Sequence, residues 1–215
     1  MGIKLINIDC MEYMAGLDDN TFDLAIVDPP YGINIVQEFK KQIKRPSSML
    51  SGMSGIYGNN WDEAVPPKEY FTELNRISIN QIIWGGNYFL DYLKSTRCFC
   101  IWDKMNGTNN MADAEIAWTS FGSSVRIFRM HHFSSGYDKK IHPTQKPISL
   151  YNWLLQNYAK PEMRILDTHL GSGSSAIASH YFGCDFVGCE IDKEYFELAQ
   201  NRFDRETRQI AFKFE

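Results

Sequence analysis

Apolar positions along the chain fall into short runs separated by longer stretches of helical period. The runs Ile3–Ile8, Phe22–Val27, Gln81–Trp84, Cys98–Trp102, Val125–Met130, Arg164–Leu166 and Asp185–Cys189 have the length and composition of strands. Between them, Cys10–Ala15, Pro67–Ile77, Pro147–Tyr158, Ser174–Tyr181 and Lys193–Arg205 carry helical patterns. This alternation predicts an α/β fold on a mostly parallel, seven-stranded sheet. Pro67 opens its helix at the first turn, where a missing N–H costs nothing.

Two stretches break the pattern. Residues 34–65 hold Pro46, Gly52, Gly55 and Gly58 with serines between, too long a segment for an idle connection. Residues 105–141 contain shorter polar breaks. The expectation is a single domain over 1–215 with these two as binding insertions. Hydrophobic content of 44% and charged content of 22% are ordinary for a globular protein. No apolar run approaches the roughly 20 residues that span a bilayer. The start of the chain lacks the layout of a signal peptide. Cys10, Cys98, Cys100, Cys184 and Cys189 show no C-x-x-C spacing, which predicts free thiols, a reducing cytoplasm and no metal site. The net charge is −4, so any nucleic-acid binding must use a local basic patch.

Chemistry concentrates in two places. Phe22–Val27 runs straight into Asp28-Pro29-Pro30-Tyr31. Prolines cannot continue a sheet ladder, so the strand stops there and presents a carboxylate, a carbonyl and a ring at the sheet's end. Taken alone, these residues also fit a plain strand-ending turn. The second place is Arg164-Ile-Leu-Asp-Thr-His-Leu-Gly-Ser-Gly-Ser-Ser-Ala176, a strand, a glycine turn and a helix start. Gly171-x-Gly173-x-x-Ala176 formally fits the dinucleotide fingerprint, and Glu190 at the end of the next strand is placed to accept from ribose hydroxyls. A nucleotide-binding half needs a third strand beside these two. Only Ile210–Phe214 remains downstream, so Ile3–Ile8 is the better supply. That splits the half across both ends of the chain and brings Asp9 to the same crevice. Asp9 also reads as the N-cap of the helix from Cys10, and the two roles can coexist.

These residues resemble the beta group of S-adenosylmethionine-dependent DNA amino-methyltransferases, in which D-P-P-Y precedes the glycine loop. Six motifs in order carry the resemblance across nearly the whole chain: Asp9-Cys10, Asp28–Tyr31, Trp84-Gly85-Gly86-Asn87, His142-Pro143-Thr144-Gln145-Lys146-Pro147, Gly171-Ser172-Gly173 and Glu190. The resemblance implies a Rossmann-like class I methyltransferase fold with circularly permuted motif order. It implies S-adenosylmethionine as cofactor, with contacts at Asp9, Cys10, Asp28, Lys146, Asp167, His169, Gly171, Ser172, Gly173, Glu190 and Ile191. Asp9 would meet the adenine, Glu190 the ribose, and the glycine loop the methionine portion. The family loop usually begins D-P-F, whereas this one reads Asp167-Thr168-His169.

With that reading, Asp28, Pro29, Pro30 and Tyr31 become the catalytic set. An exocyclic amine conjugated to its ring is a poor nucleophile. Two acceptors aimed at its N–H bonds, the Asp28 carboxylate and the Pro29 carbonyl, favour a pyramidal nitrogen and stabilise its growing positive charge. Pro30 stiffens the segment, and Tyr31 offers a face for stacking a flipped base. A pocket between Tyr31 and Trp84–Asn87 is expected. The expected partner is double-stranded DNA, held by Lys40, Lys41, Lys44 and Arg45, and by Arg126, Arg129, Lys139, Lys140 and Lys146 with His131 and His132 among them; solvated loops would carry the same charges. A homodimer is a further expectation, with Trp118 and Phe121 as candidate contacts; no membrane partner is expected. The resemblance implies adenine N6 over cytosine N4 as target, because members of the group that act on cytosine more often carry serine at the position of Asp28; the same acceptor geometry serves both amines. An NAD-dependent dehydrogenase would satisfy the glycine loop and leave Asp28–Tyr31 unexplained. A binding module that keeps the fold without turnover is a further alternative.

Overall fold

The computed structural model describes residues 2–34, 62–107, 112–131 and 141–208. Among the described residues, eight strands form one sheet: β1 (Ile3–Asn7), β2 (Phe22–Val27), β3 (Ser78–Trp84), β4 (Phe99–Asp103), β5 (Ala114–Thr119), β6 (Arg126–Arg129), β7 (Arg164–Asp167) and β8 (Asp185–Glu190). The order across the sheet is β1-β8-β7-β2-β3-β5-β4-β6. Only β5 runs against its neighbours β3 and β4; the other described pairings are parallel.

Helices α1 (Cys10–Ala15) and α2 (Lys68–Ile77) cover one face, and α3 (Ile148–Tyr158), α4 (Ser174–Phe182) and α5 (Lys193–Arg208) the other. Alternation along β2 feeds both layers. Leu24 and Ile26 point into the core under α3 and α4, while Ala25 and Val27 join the core under α1 and α2. Helix α2 buries Tyr70, Phe71, Leu74 and Ile77, a spacing that forms one helical stripe. Pro67 and Pro147 sit at the N-caps of α2 and α3, one position before the first helical residue. Gly183, at φ +83°, ends α4 in the left-handed conformation.

The amino-terminal strand supplies the third strand of the nucleotide half, as the sequence predicts. Ile3 lies opposite Phe186 and Asn7 opposite Glu190, in parallel register. The switch in winding direction therefore falls between β7 and β2, and a crevice opens beyond their carboxyl ends.

The sheet has one strand more than expected. Ala114–Thr119 lies within the 105–141 stretch read as an insertion and instead fills the sheet between β3 and β4. Alanine and glutamate are weak strand formers, so local propensity hides it. Burial of Ala117, Trp118 and Thr119 makes it a strand. Trp118 is correspondingly unavailable as a dimer contact, being buried with its Nε1–H donated to the Lys94 carbonyl, whereas Phe121 is half-buried against Tyr158. The five cysteines are free, and no helix among the described residues is long and apolar enough to cross a membrane.

Candidate active site

A cleft of about 350 Å³ lies beyond the ends of β1, β8, β7 and β2. Of the residues named from the sequence, Asp9, Cys10, Asp28, Pro30, Lys146, His169, Gly171, Ser172, Glu190 and Ile191 line it. The two halves of the sequence reading thus share one space.

The nucleotide side is built by backbone geometry. Gly171 and Gly173 take φ of +52° and +73°, which side chains disfavour. The Gly171 N–H donates to Glu190 Oε2 at 2.9 Å, and the Asp192 N–H donates to Glu190 Oε1 at 3.0 Å. These bonds fix the carboxylate at the mouth of the loop while leaving lone pairs free. Burial raises the Glu190 pKa, and the two N–H donors pull it back. Asp9 caps α1 with one oxygen, accepting from the Met11 and Glu12 N–H groups, and also lines the cleft. Burial and the neighbouring Asp9 push the Cys10 thiol up to about 12, so it remains protonated.

Asp167 and Gly173 stand behind the cleft and shape its wall. Asp167 is buried and accepts from the Ser175 hydroxyl at 2.6 Å and the His169 N–H at 3.0 Å; burial raises its pKa to about 7. Gly173 packs against Ala199 of α5. Arg202 of the same helix is buried and donates to the Ser172 carbonyl and Ser174 hydroxyl, tying α5 to the loop.

On the other side of the cleft, Asp28 holds its carboxylate between two donors. Lys146 Nζ lies 2.5 Å from Oδ2, and the Tyr31 hydroxyl donates to Oδ1 at 2.6 Å. Burial raises the Asp28 pKa, with Lys146 opposing, and Lys146 is itself held charged by Asp28 and Glu115 against the cost of burial. Asp62, from the end of the 34–65 stretch, accepts from the Tyr31 and Gly32 N–H groups at 2.8 Å each and clamps the turn.

Three expectations are corrected here. Tyr31 presents no open stacking face to the cleft: its ring stacks on Tyr88, centroids 5.0 Å apart, and lies against Gly85. A Cβ on Gly85 would fall 2.2 Å from Tyr31 Cε1, and one on Gly86 would fall 2.5 Å from Trp118 Cβ. Gly85 makes room for the Tyr31 ring and Gly86 for the β5 backbone at Trp118, so the Tyr31 to Trp84–Asn87 space is filled. Lys146 is buried in an ion-pair network and cannot serve as a phosphate contact. Arg126 and Arg129 do lie exposed on the edge strand β6, whereas Lys40, Lys41, Lys44, Arg45, His132, Lys139 and Lys140 fall outside the described residues.

Sequence reasoning passed over several cleft residues: Tyr70, His142, Tyr151, Thr168 and Tyr195. Tyr70 and Tyr151 read as helix core in any periodicity argument, because the same apolar stripe that packs the helix also edges the cleft. His142 lies inside a recognised motif; burial holds it neutral down to about 3.

A sequence model of one family, described as DNA methylase, matches residues 81–201, more than half of the chain. The chain belongs to this DNA methylase family. It is 23% identical to the Type II methyltransferase M.BglII of Bacillus subtilis, over 91% of this chain and 67% of that protein. Its fold is similar to that of the solved M1.HpyAVI–SAM complex, with a TM-score of 0.60 and 20% identity over 94% of this chain and 100% of that one. It is also similar to the cytosine-N4-specific PvuII DNA methyltransferase, with a TM-score of 0.63 and 11% identity over 97% and 91% of the two chains. Within its family this methylase carries the methyltransferase fold with D-P-P-Y ahead of the glycine loop.

Proposed function

We propose that this methylase transfers a methyl group from S-adenosylmethionine to the N6 amine of an adenine flipped out of duplex DNA. One observation carries the reading: Asp28 and Glu190 line the same cleft from opposite sides of the switch point. The residues present suit the cofactor. Glu190 offers acceptor lone pairs for ribose hydroxyls, Asp9 and Cys10 flank the adenosine end, and Gly171 brings backbone close enough for the methionine portion. The cleft's volume falls in the range of small-molecule sites.

S-adenosylmethionine supplies an electrophilic methyl group on a sulfonium. The chain's own residues supply the rest. Asp28 accepts from the target amine and stabilises the positive charge growing on nitrogen. Lys146 and Tyr31 fix the carboxylate in one orientation, so no reorganisation is needed as the charge develops. Asp62 and the two prolines hold the turn. Because the Tyr31 face is covered by the half-exposed Tyr88, the flipped base meets the outer ring of this pair or displaces it.

The test has two arms. Asp28→Ala lowers methyl transfer to DNA at least about a hundredfold while cofactor affinity stays near normal. Glu190→Ala weakens cofactor binding by calorimetry. Full turnover in Asp28→Ala removes the catalytic assignment, and unchanged affinity in Glu190→Ala removes the ribose assignment. Nucleoside analysis of the product decides the base. The reading expects N6-methyladenine; N4-methylcytosine would replace it with the cytosine alternative, for which the PvuII enzyme's fold is a precedent.

A further inference from the structure

Nothing in the sequence marks Glu115, yet its carboxylate lies at the centre of a charge ladder leading to the reaction site. It sits on β5, opposite Trp102 of β4. Lys104 Nζ lies 2.6 Å from Oε1, and Lys146 Nζ lies 3.0 Å from Oε2 as an ion pair rather than an aligned hydrogen bond. Lys146 in turn meets Asp28. Its side chain is 2% exposed, and its ammonium rests 5.3 Å from the Trp84 ring centre and 5.8 Å from that of Tyr31. The four charges alternate, Lys104, Glu115, Lys146, Asp28, and sum to zero. A buried ammonium is costly to desolvate unless well paired. Asp28 alone would pair it, so the second carboxylate does something further.

Resting on the proposed reaction, we infer that Glu115 is a positioning residue for methyl transfer: it offsets part of the Lys146 charge, so that the Asp28 carboxylate keeps more of its negative charge for the target amine. The physical need is plain. Positive charge grows on the amine nitrogen during the reaction. An ammonium bound to the other oxygen of Asp28 opposes that charge and weakens the carboxylate as an acceptor. Glu115 reduces that opposition without moving Lys146, whose grip still orients Asp28. Lys104 then keeps Glu115 from becoming an unpaired buried anion; burial pushes the Glu115 pKa up, but Lys146 and Lys104 together bring it below its ordinary value. The other titratable groups facing Asp28 are Tyr31, Asp167 at the end of β7, Tyr70 of α2 and Tyr151 of α3. None of them pairs with Lys146 as Glu115 does.

The test compares Glu115→Gln and Glu115→Asp with the wild-type chain. Glu115→Gln is expected to lower kcat about tenfold and to move the acid limb of the kcat–pH profile about one unit down, because a negative neighbour of Asp28 is removed. Cofactor Kd stays within about twofold, since Glu115 does not line the cleft. Glu115→Asp, which keeps the charge, retains most of the rate. An unchanged kcat and acid limb in Glu115→Gln overturns the inference, and so does an equal loss in both variants, which marks a packing role. If Glu115→Gln does not fold, carbon-13 titration of the Asp28 carboxyl in Lys104→Met decides: a rise in its pKa supports the ladder and no change overturns it. That titration needs no turnover. A wild-type chain that fails to methylate DNA therefore counts against the proposed function, while the titration still decides whether the ladder acts on Asp28.

Discussion

His169 lines the cleft two positions after Asp167, where the family usually carries phenylalanine. Its Nδ1 is 2.9 Å from Thr168 Oγ1, which is 2.7 Å from the buried Tyr70 hydroxyl. One arrangement gives both hydroxyl protons an acceptor: Tyr70 donates to Thr168, Thr168 donates to Nδ1, and the ring proton is then carried on Nε2. The histidine therefore adds a polar donor to a wall that phenylalanine would leave apolar. Burial lowers its pKa from 6.5 to about 4. The folded state then binds the proton less tightly than the unfolded chain does. Its contribution to stability is complete above pH 6.5 and is lost as pH falls from 6.5 towards 4, by about 2–3 kcal/mol. Urea midpoints measured across that window should fall less steeply in His169→Phe than in the wild type. Identical slopes would mean that the ring is not desolvated.

At the scale of elements, β5 and the turn after β3 hold each other in place. Trp84-Gly85-Gly86 passes so close to β5 that a Cβ on Gly86 would lie 2.8 Å from the Trp118 backbone nitrogen, and Gly85 N–H donates to the Ile116 carbonyl at 2.9 Å. Backbone in a sheet cannot give way as a side-chain tip can. Gly86→Ala should lower stability by about 1–3 kcal/mol, read as a fall in the denaturant midpoint. An unshifted midpoint would show that the turn has slack. The same close approach explains why glycines here look like ligand-binding glycines in the sequence. A glycine pair records only that something comes close, and here that something is the Tyr31 ring and the Trp118 strand.

Across the whole molecule, a net charge of −4 opposes the approach of DNA, so phosphate binding must come from local clusters. Lys40, Lys41, Lys44 and Arg45 form one such cluster in the sequence, outside the described residues. Replacing all four by alanine should flatten the dependence of log affinity on log salt by about 0.9 for each phosphate that these side chains neutralise. An unaltered slope in a filter-binding series would remove the cluster from the DNA interface. Distance along the chain is also overridden at this scale. Asp9 and Glu190 reach one cleft because β1 and β8 pair in register.

The sequence by itself determined the strand–helix alternation, the glycine loop with Glu190, the D-P-P-Y edge and the need for β1 beside β8. These follow from local periodicity, from turn chemistry and from the number of strands a nucleotide-binding half requires. Only the tertiary structure decided the rest. It made a strand of Ala114–Thr119, covered Tyr31 with Tyr88, and turned Lys146 from the phosphate surface to Asp28 and Glu115. The reason is common to all three. Strand pairing, ring stacking and buried ion pairs join residues far apart in the chain, and their strength comes from desolvation, which no residue's own neighbours in sequence can set.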